Sequence, residues 1–194
     1  SQDPIIWLDG LDGPLIQSFN VLFFEDAEFP EQPITRQTGE SLSRMGFARP
    51  VKTEPGHSRG VPFRYAWKDT HAALRAMGDG DRDPYDGRLL RYINPVTGGY
   101  TYPTMSCEVQ LFKGKESTKT HRHTSTAIYH VVRGRGRTRV GEGYLEWQQG
   151  DTFVVPLWQW HAHENLSNDE AVLFSINDRP IMDSLQLHRE ESTN

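Results

Sequence analysis

From residue 88 to residue 178, short stretches rich in Val, Tyr, Thr, Phe and Trp recur about every ten residues, with glycine-bearing turns between them. A single run of that length cannot bury its own apolar face, and turns that short send the chain back antiparallel to itself. The pattern therefore predicts an all-β domain over residues 88–178, an antiparallel sandwich or barrel. Residues 1–87 are different: they carry most of the prolines and turn signals such as DGLDGP, FPEQPI and GDGDRDPYDG, which predict an extended segment wrapping over other structure. Within it, PLIQSFNVLFFE (14–25) reads as one or two buried strands. YAWKDTHAALRAMGDG (65–80) reads as one helix, near 65–77, ended by Gly78. In residues 179–194, Ile181, Leu185 and His188 fall at helical spacing, which predicts a short helix after Pro180 and then a tail.

A length of 194 residues suits one domain with appended segments. The net charge of −5 gives no footprint for nucleic acid. The basic run RGRGRTR (133–139) lies in strand-like sequence and reads as a solvated face, with Arg137 and Arg139 turned to water. One cysteine, Cys107, excludes an intramolecular disulfide and fits a small core residue in a reducing compartment. No stretch is long and apolar enough to span a bilayer and no secretory leader is recognisable, so no membrane partner and a cytoplasmic location are expected. Trp7, Phe19, Phe23, Phe24 and Phe47 are too apolar for a segment lying free in water. They are expected to pack on the barrel or on a second copy of the chain, making a homo-oligomer.

Five of the eight histidines lie between residues 121 and 165, four of them in two His-x-His pairs about forty residues apart. If KTHRHTSTAIYHVV is a strand, its period of two sends His121, His123, Ser125, Ala127 and Tyr129 to one face. In VVPLWQWHAHEN the chain turns at Pro156, and His161 and His163 return on a common face of the next strand. Three neutral imidazoles on adjacent strands suit a divalent first-row metal and leave coordination positions open. Spacing alone leaves His121, His123, His161 and His163 as candidates. A lone strand histidine is usually a hydrogen-bonded core or surface residue, and His57, His71, His130 and His188 show no ligand spacing.

The doubled pattern resembles the two motifs of the cupin family. The first reads Gly114, His121, His123 and Gly134, displaced by one residue at its start, and the second reads Gly150, Pro156, His161 and Asn165. That likeness implies His121, His123 and His161 as the metal ligands. Metal-binding cupins generally place a Glu four or five residues after the second His; here Ala127 and Ile128 stand there. A set of three histidines without that Glu, followed by WQWHAH, resembles the gentisate 1,2-dioxygenase family and its salicylate and 1-hydroxy-2-naphthoate relatives. The likeness extends through WLDGLDGPLI, DPYDGRLLRYINPVTGG, PTMSCEVQL and VLFSINDRPIMDSLQLHRE, essentially the whole chain, and matches the C-terminal half of a two-barrel protein.

That resemblance implies a cupin jelly-roll barrel and Fe(II) as cofactor, with Mn, Ni or Zn as other divalent occupants. It also implies a small aromatic acid and O2 as substrates, with gentisate opened to maleylpyruvate. Where family members carry an arginine that helps hold the substrate carboxylate, this chain has Tyr129. His163 is expected in the substrate shell as a hydrogen-bond donor or proton carrier, Tyr129 as a donor beside the metal, and Trp158 and Trp160 as walls of an aromatic pocket. Each also has a packing role open to it. Two further classes remain: a metal-bearing barrel that supports another, catalytic barrel, and a cupin sugar isomerase, which generally retains the Glu.

Overall fold

In the computed structural model, residues 4, 7–31, 33–34 and 64–193 are described, and they divide into a unit within Ser1–Arg64 and a unit Tyr65–Asn194. The first contains one short helix, α1 (Gly13–Ser18), with Pro14 in its first turn. This overturns the expectation of buried strands over 14–25. Pro14 presets helical φ, and the apolar run after it pairs with no strand among the described residues, with Phe23 79% and Phe24 88% exposed. Phe47 and His57 lie outside the described residues.

In the second unit, helix α2 (Trp67–Ala76) leads into a 3-10 turn (Asp79–Asp81). The helix stops two residues before Gly78, because Gly78 belongs to the next element, where its N–H donates to the Asp81 carboxylate at 2.8 Å and opens the 3-10 turn. Ten strands follow, β1 (Arg88–Arg91), β2 (Ser106–Phe112), β3 (His121–His123), β4 (Ala127–Arg133), β5 (Arg135–Val140), β6 (Gly143–Gln148), β7 (Thr152–Val155), β8 (His161–Asn165), β9 (Ala171–Asn177) and β10 (Glu190–Ser192). Helix α3 (Arg179–Ser184) lies between the last two. The strands form two five-stranded antiparallel sheets in the orders β1-β2-β9-β4-β7 and β10-β3-β8-β5-β6. This is the all-β, two-sheet architecture that the turn spacing predicts.

The core lies between the sheets, where Phe112, Tyr129, Val131, Trp147, Val155 and Leu173 meet. Strand β2 is buried on both faces. Glu108, Gln110 and Phe112 turn inward, while Val109 and Leu111 turn outward and join Leu74 of α2 and Val172. Burying a side chain such as Leu74 stabilises the fold by about 1.5–3 kcal/mol, which is what holds α2 on the sheet. Gly134, between β4 and β5, has φ +87, and a Cβ there would stand 2.8 Å from Ala171 Cα; only glycine fits. Asn165 closes the far end of the barrel, its amide donating to the carbonyls of Lys113 at 2.9 Å and Asp169 at 2.7 Å.

The stretch read as one strand from Lys119 onward is two. Residues 124–126 bend, held by Thr124 N–H to Arg189 O at 3.0 Å and Thr126 N–H to Asp178 Oδ1 at 2.9 Å, so β3 and β4 fall in different sheets. The period of two survives the corner, and His121, Ser125, Ala127 and Tyr129 are all buried.

Candidate metal centre

Strand register brings the two histidine pairs together. His121 of β3 stands directly across from His161 of β8, with ring centroids 4.3 Å apart. His123, one pleat along, completes a cluster with centroids 5.4 Å from His121 and 5.0 Å from His161. One ring nitrogen from each of the three lies within 4.8 Å of the other two, close enough to share an ion.

The outer hydrogen bonds assign the tautomers. His123 Nδ1 lies 2.8 Å from Ser125 O and His161 Nδ1 lies 2.9 Å from Gln159 O, and a carbonyl only accepts, so both Nδ1 atoms carry the proton. His121 Nδ1 faces Glu190 Oε1 at 3.4 Å, a long contact of the same sense. Each Nε2 is thereby left with a free lone pair. The Nε2 atoms of His121 and His161 are buried and have no partner among the described residues. Buried, orphaned acceptors backed by carbonyl or carboxylate groups are what a divalent ion requires of its ligands, and the residues fit one. Electrostatics agree: burial and the neighbouring imidazoles push His161 down to about 2 and lower His123, so both are neutral at pH 7. The His121 contact holds Glu190 down at about 2, keeping it a carboxylate.

His163 sits differently. It faces Thr138 across the β5–β8 ladder, and Thr138 Oγ1 lies 2.9 Å from its Nδ1 while accepting the Trp147 Nε1–H, also at 2.9 Å. The hydroxyl, which has two lone pairs, accepts from the indole and can still accept from or donate to the imidazole, so the contact holds the ring in either tautomer. The Nε2 of His163, like those of His121 and His161, has no partner among the described residues, but His163 lies outside the group whose ring nitrogens come within 4.8 Å of one another. It is 1% exposed among Phe112, Tyr129 and Phe153, and burial lowers it to about 3. The structure places it in the aromatic core beneath the cluster, off the cavity wall.

Beside the cluster opens a cavity of about 80 Å³ whose wall includes His121, His123 and Tyr129. Burial pushes the Tyr129 phenol well above its ordinary value, so it stays protonated and able to donate. The expectation for Trp158 and Trp160 is corrected: neither lines this cavity. Arg122 alternates to the outer face of β3, and its guanidinium lies 4.4 Å from both indole rings, which it draws to the outside. Trp158 also has φ 60, in the turn after Pro156. Arg137 pairs with Glu164 at 2.6 Å and Arg139 donates to Gly141 O at 3.0 Å, and neither reaches the cavity.

Sequence reasoning missed other groups on the wall. Arg91 donates to Glu108 at 2.7 Å, and Arg179 donates to Asp183 at 2.8 Å. Asp86 accepts from Gln110 Nε2 at 2.8 Å, and its Oδ1 lies 3.9 Å from His121 Nε2. Burial, offset in part by His121, pushes Asp86 up to about 6. The arginines begin a helix and end a strand, and Asp86 sits in a turn; none lies on a histidine-bearing element, so no periodic signal linked them to the site.

Comparison with known proteins places this geometry. The Cupin domain family matches residues 108–177. Along 97% of its length the chain is 39% identical to a 5-aminosalicylate 1,2-dioxygenase of Comamonas sp, of which it covers 50%. Along 98% it is 38% identical to gentisate 1,2 dioxygenase 1 of Aquipseudomonas alcaligenes, covering 55%. Among solved structures, the salicylate 1,2-dioxygenase from Pseudaminobacter salicylatoxidans superposes with a TM-score of 0.70 at 26% identity, over 93% of this chain and 53% of that one. The chain spans about half the length of the relatives it matches.

Proposed function

Since the chain is a cupin, homologous along nearly its whole length to half of the gentisate-type ring-cleaving dioxygenases, we propose that His121, His123 and His161 hold Fe(II) for cleavage of a hydroxylated aromatic acid by O2. The observation that carries this reading is the convergence of three free Nε2 lone pairs, each backed at Nδ1 by an acceptor. A bound ferrous ion supplies the one-electron reactivity toward O2 that an organic side chain lacks, and a cation that chelates an adjacent carboxylate and hydroxyl. The protein does the rest. Arg91 and Arg179 face the cavity as cations for the substrate carboxylate, replacing the arginine absent at Tyr129. Tyr129 presents a phenol held in its donor form. His163, held by Thr138, acts from below as a packing group in the aromatic core. Cleavage between the carboxyl-bearing and hydroxyl-bearing carbons inserts both atoms of O2, which for gentisate gives maleylpyruvate.

The cavity favours a second reading. Its 80 Å³ is well under the roughly 150 Å³ that houses a benzene ring. A metal-bearing barrel that supports a separate catalytic barrel fits that volume without side-chain movement. O2 uptake after anaerobic Fe(II) loading, with gentisate, salicylate and 1-hydroxy-2-naphthoate, separates the two. Turnover by the 194-residue chain establishes the first reading. Stoichiometric iron without turnover on any of the three leaves the second.

A cytoplasmic homo-oligomer is part of the proposal. Its support is the absence, among the described residues, of a helix able to cross a membrane, and the exposure of Trp7, Phe19, Phe23 and Phe24.

A further inference from the structure

Both histidine motifs leave the cluster without an anionic ligand, and the position where cupins generally supply one holds Ala127 and Ile128. The structure brings a carboxylate from elsewhere. Asp86 lies in the turn before β1, 35 positions ahead of His121, and its Oδ1 is 3.9 Å from the orphaned Nε2 of that histidine. The three histidine nitrogens lie within 4.8 Å of one another; Asp86 stands within that spacing of His121 but outside the group of three, so a short inward movement of its side chain would bring it to an ion held there.

The approach is built in. Asp83 and Gly87 exchange backbone hydrogen bonds at 2.8 and 3.0 Å, and the Asp83 carboxylate accepts from the N–H groups of Tyr85 at 2.7 Å and Asp86 at 3.0 Å. Gly87, at φ +71, lets the chain turn against Phe112, where a Cβ would meet the ring at 2.8 Å. Pro84 O accepts from Lys119 N–H at 2.8 Å, and the Tyr85 ring stacks on His121 at 5.3 Å. The side chain is then aimed by the Gln110 amide, which donates to Asp86 Oδ1 while its own Oε1 has no partner among the described residues. A turn closed at both ends and a buried amide spent on one oxygen hold that oxygen beside His121, on the wall of the cavity that His121 and His123 also line.

We propose that Asp86 is a fourth protein ligand to the metal of the three-histidine site. The inference rests on the metal reading above and deepens it: the resting site carries three neutral ligands and one anion. Asp86 occupies a coordination position that an aromatic carboxylate must otherwise fill, so entry of the substrate exchanges one carboxylate for another.

Co(II) serves as probe, with affinity read by chelator competition and ligand set by the visible absorption of the bound ion. Wild-type protein is expected to bind one equivalent. Asp86→Asn keeps the oxygen that Gln110 holds and removes the charge, and it is expected to weaken binding at least about tenfold and shift the visible bands. Gln110→Ala, which leaves Asp86 present but unheld, is expected to weaken binding less and move the bands in the same direction, and it decides the question should Asp86→Asn not fold. Unchanged affinity and unchanged bands in a folded Asp86 or Gln110 variant would overturn the role of Asp86 and leave the three histidines standing. Failure of the wild-type protein to bind Co(II) or Fe(II) overturns the metal reading itself, and this inference with it.

Discussion

His161 and His163 are two residues apart on one strand and differently placed. His161 shares the group of close ring nitrogens with His121 and His123, and His163 lies outside it, held at Nδ1 by Thr138. His161→Ala is therefore expected to abolish binding of Fe(II) or Co(II) in equilibrium dialysis. His163→Ala retains one equivalent but loses about 1–3 kcal/mol of stability in denaturant unfolding, because Thr138 loses its buried imidazole partner. Period-two reasoning was enough to set His121, His123, Ser125 and Tyr129 facing inward, since one buried face dictates alternation. It could not distinguish a ligand from a core histidine, because His161 and His163 share a face and the register with β3 decides which of them meets His121. Nor could it find Asp86, whose position depends on a five-residue turn, or place Trp158 and Trp160, which follow Arg122 to the outside.

At the level of elements, α2 is tied to the barrel by one carboxylate as well as by Leu74. Glu170 accepts from His71 at 2.7 Å and from Arg133 at 2.7 Å, with Arg75 at 3.6 Å. Burial acts to raise Glu170, but the His71 and Arg133 hydrogen bonds outweigh it and hold the carboxyl below its usual range. A depressed carboxyl stabilises the fold fully above its unfolded value of about 4.5, and that contribution fades as pH falls through the lower folded value. Wild-type protein is expected to lose stability over that acid window more steeply than Glu170→Gln, as read by thermal unfolding at a series of pH values. Equal slopes would show that the cluster contributes nothing. The helix around residue 70 was legible because its period and its glycine stop are local, yet the stop came early, since Gly78 is recruited by Asp81. The supposed strands over 14–25 failed for the opposite reason: apolar composition marks burial, and a strand needs a partner that composition cannot name.

For the whole molecule, the barrel was legible from turn spacing, but the partition of ten strands between two sheets was not. It depends on the corner at residues 124–126, a bend with no glycine or proline in it. The exposed apolar side chains of the first unit lead to a further expectation: light scattering at micromolar concentration should report a dimer or larger species, and a monomer throughout would refute the oligomer. The β3–β8 seam carries a consequence of its own. Those strands share a single residue pair, His121 with His161, whereas β5 and β8 share five. Residues 116–118 continue the seam to β8 through the Ser117–Glu164 bridge, so an ion bound at the histidines works as a rivet at the β3 end of that line. Chelation should release β3 and β10 together, with amide hydrogens at 121–123 and 190–192 exchanging faster in apoprotein while those of β2 and β9 hold. A barrel built this way reports its own metal status through the looseness of one edge.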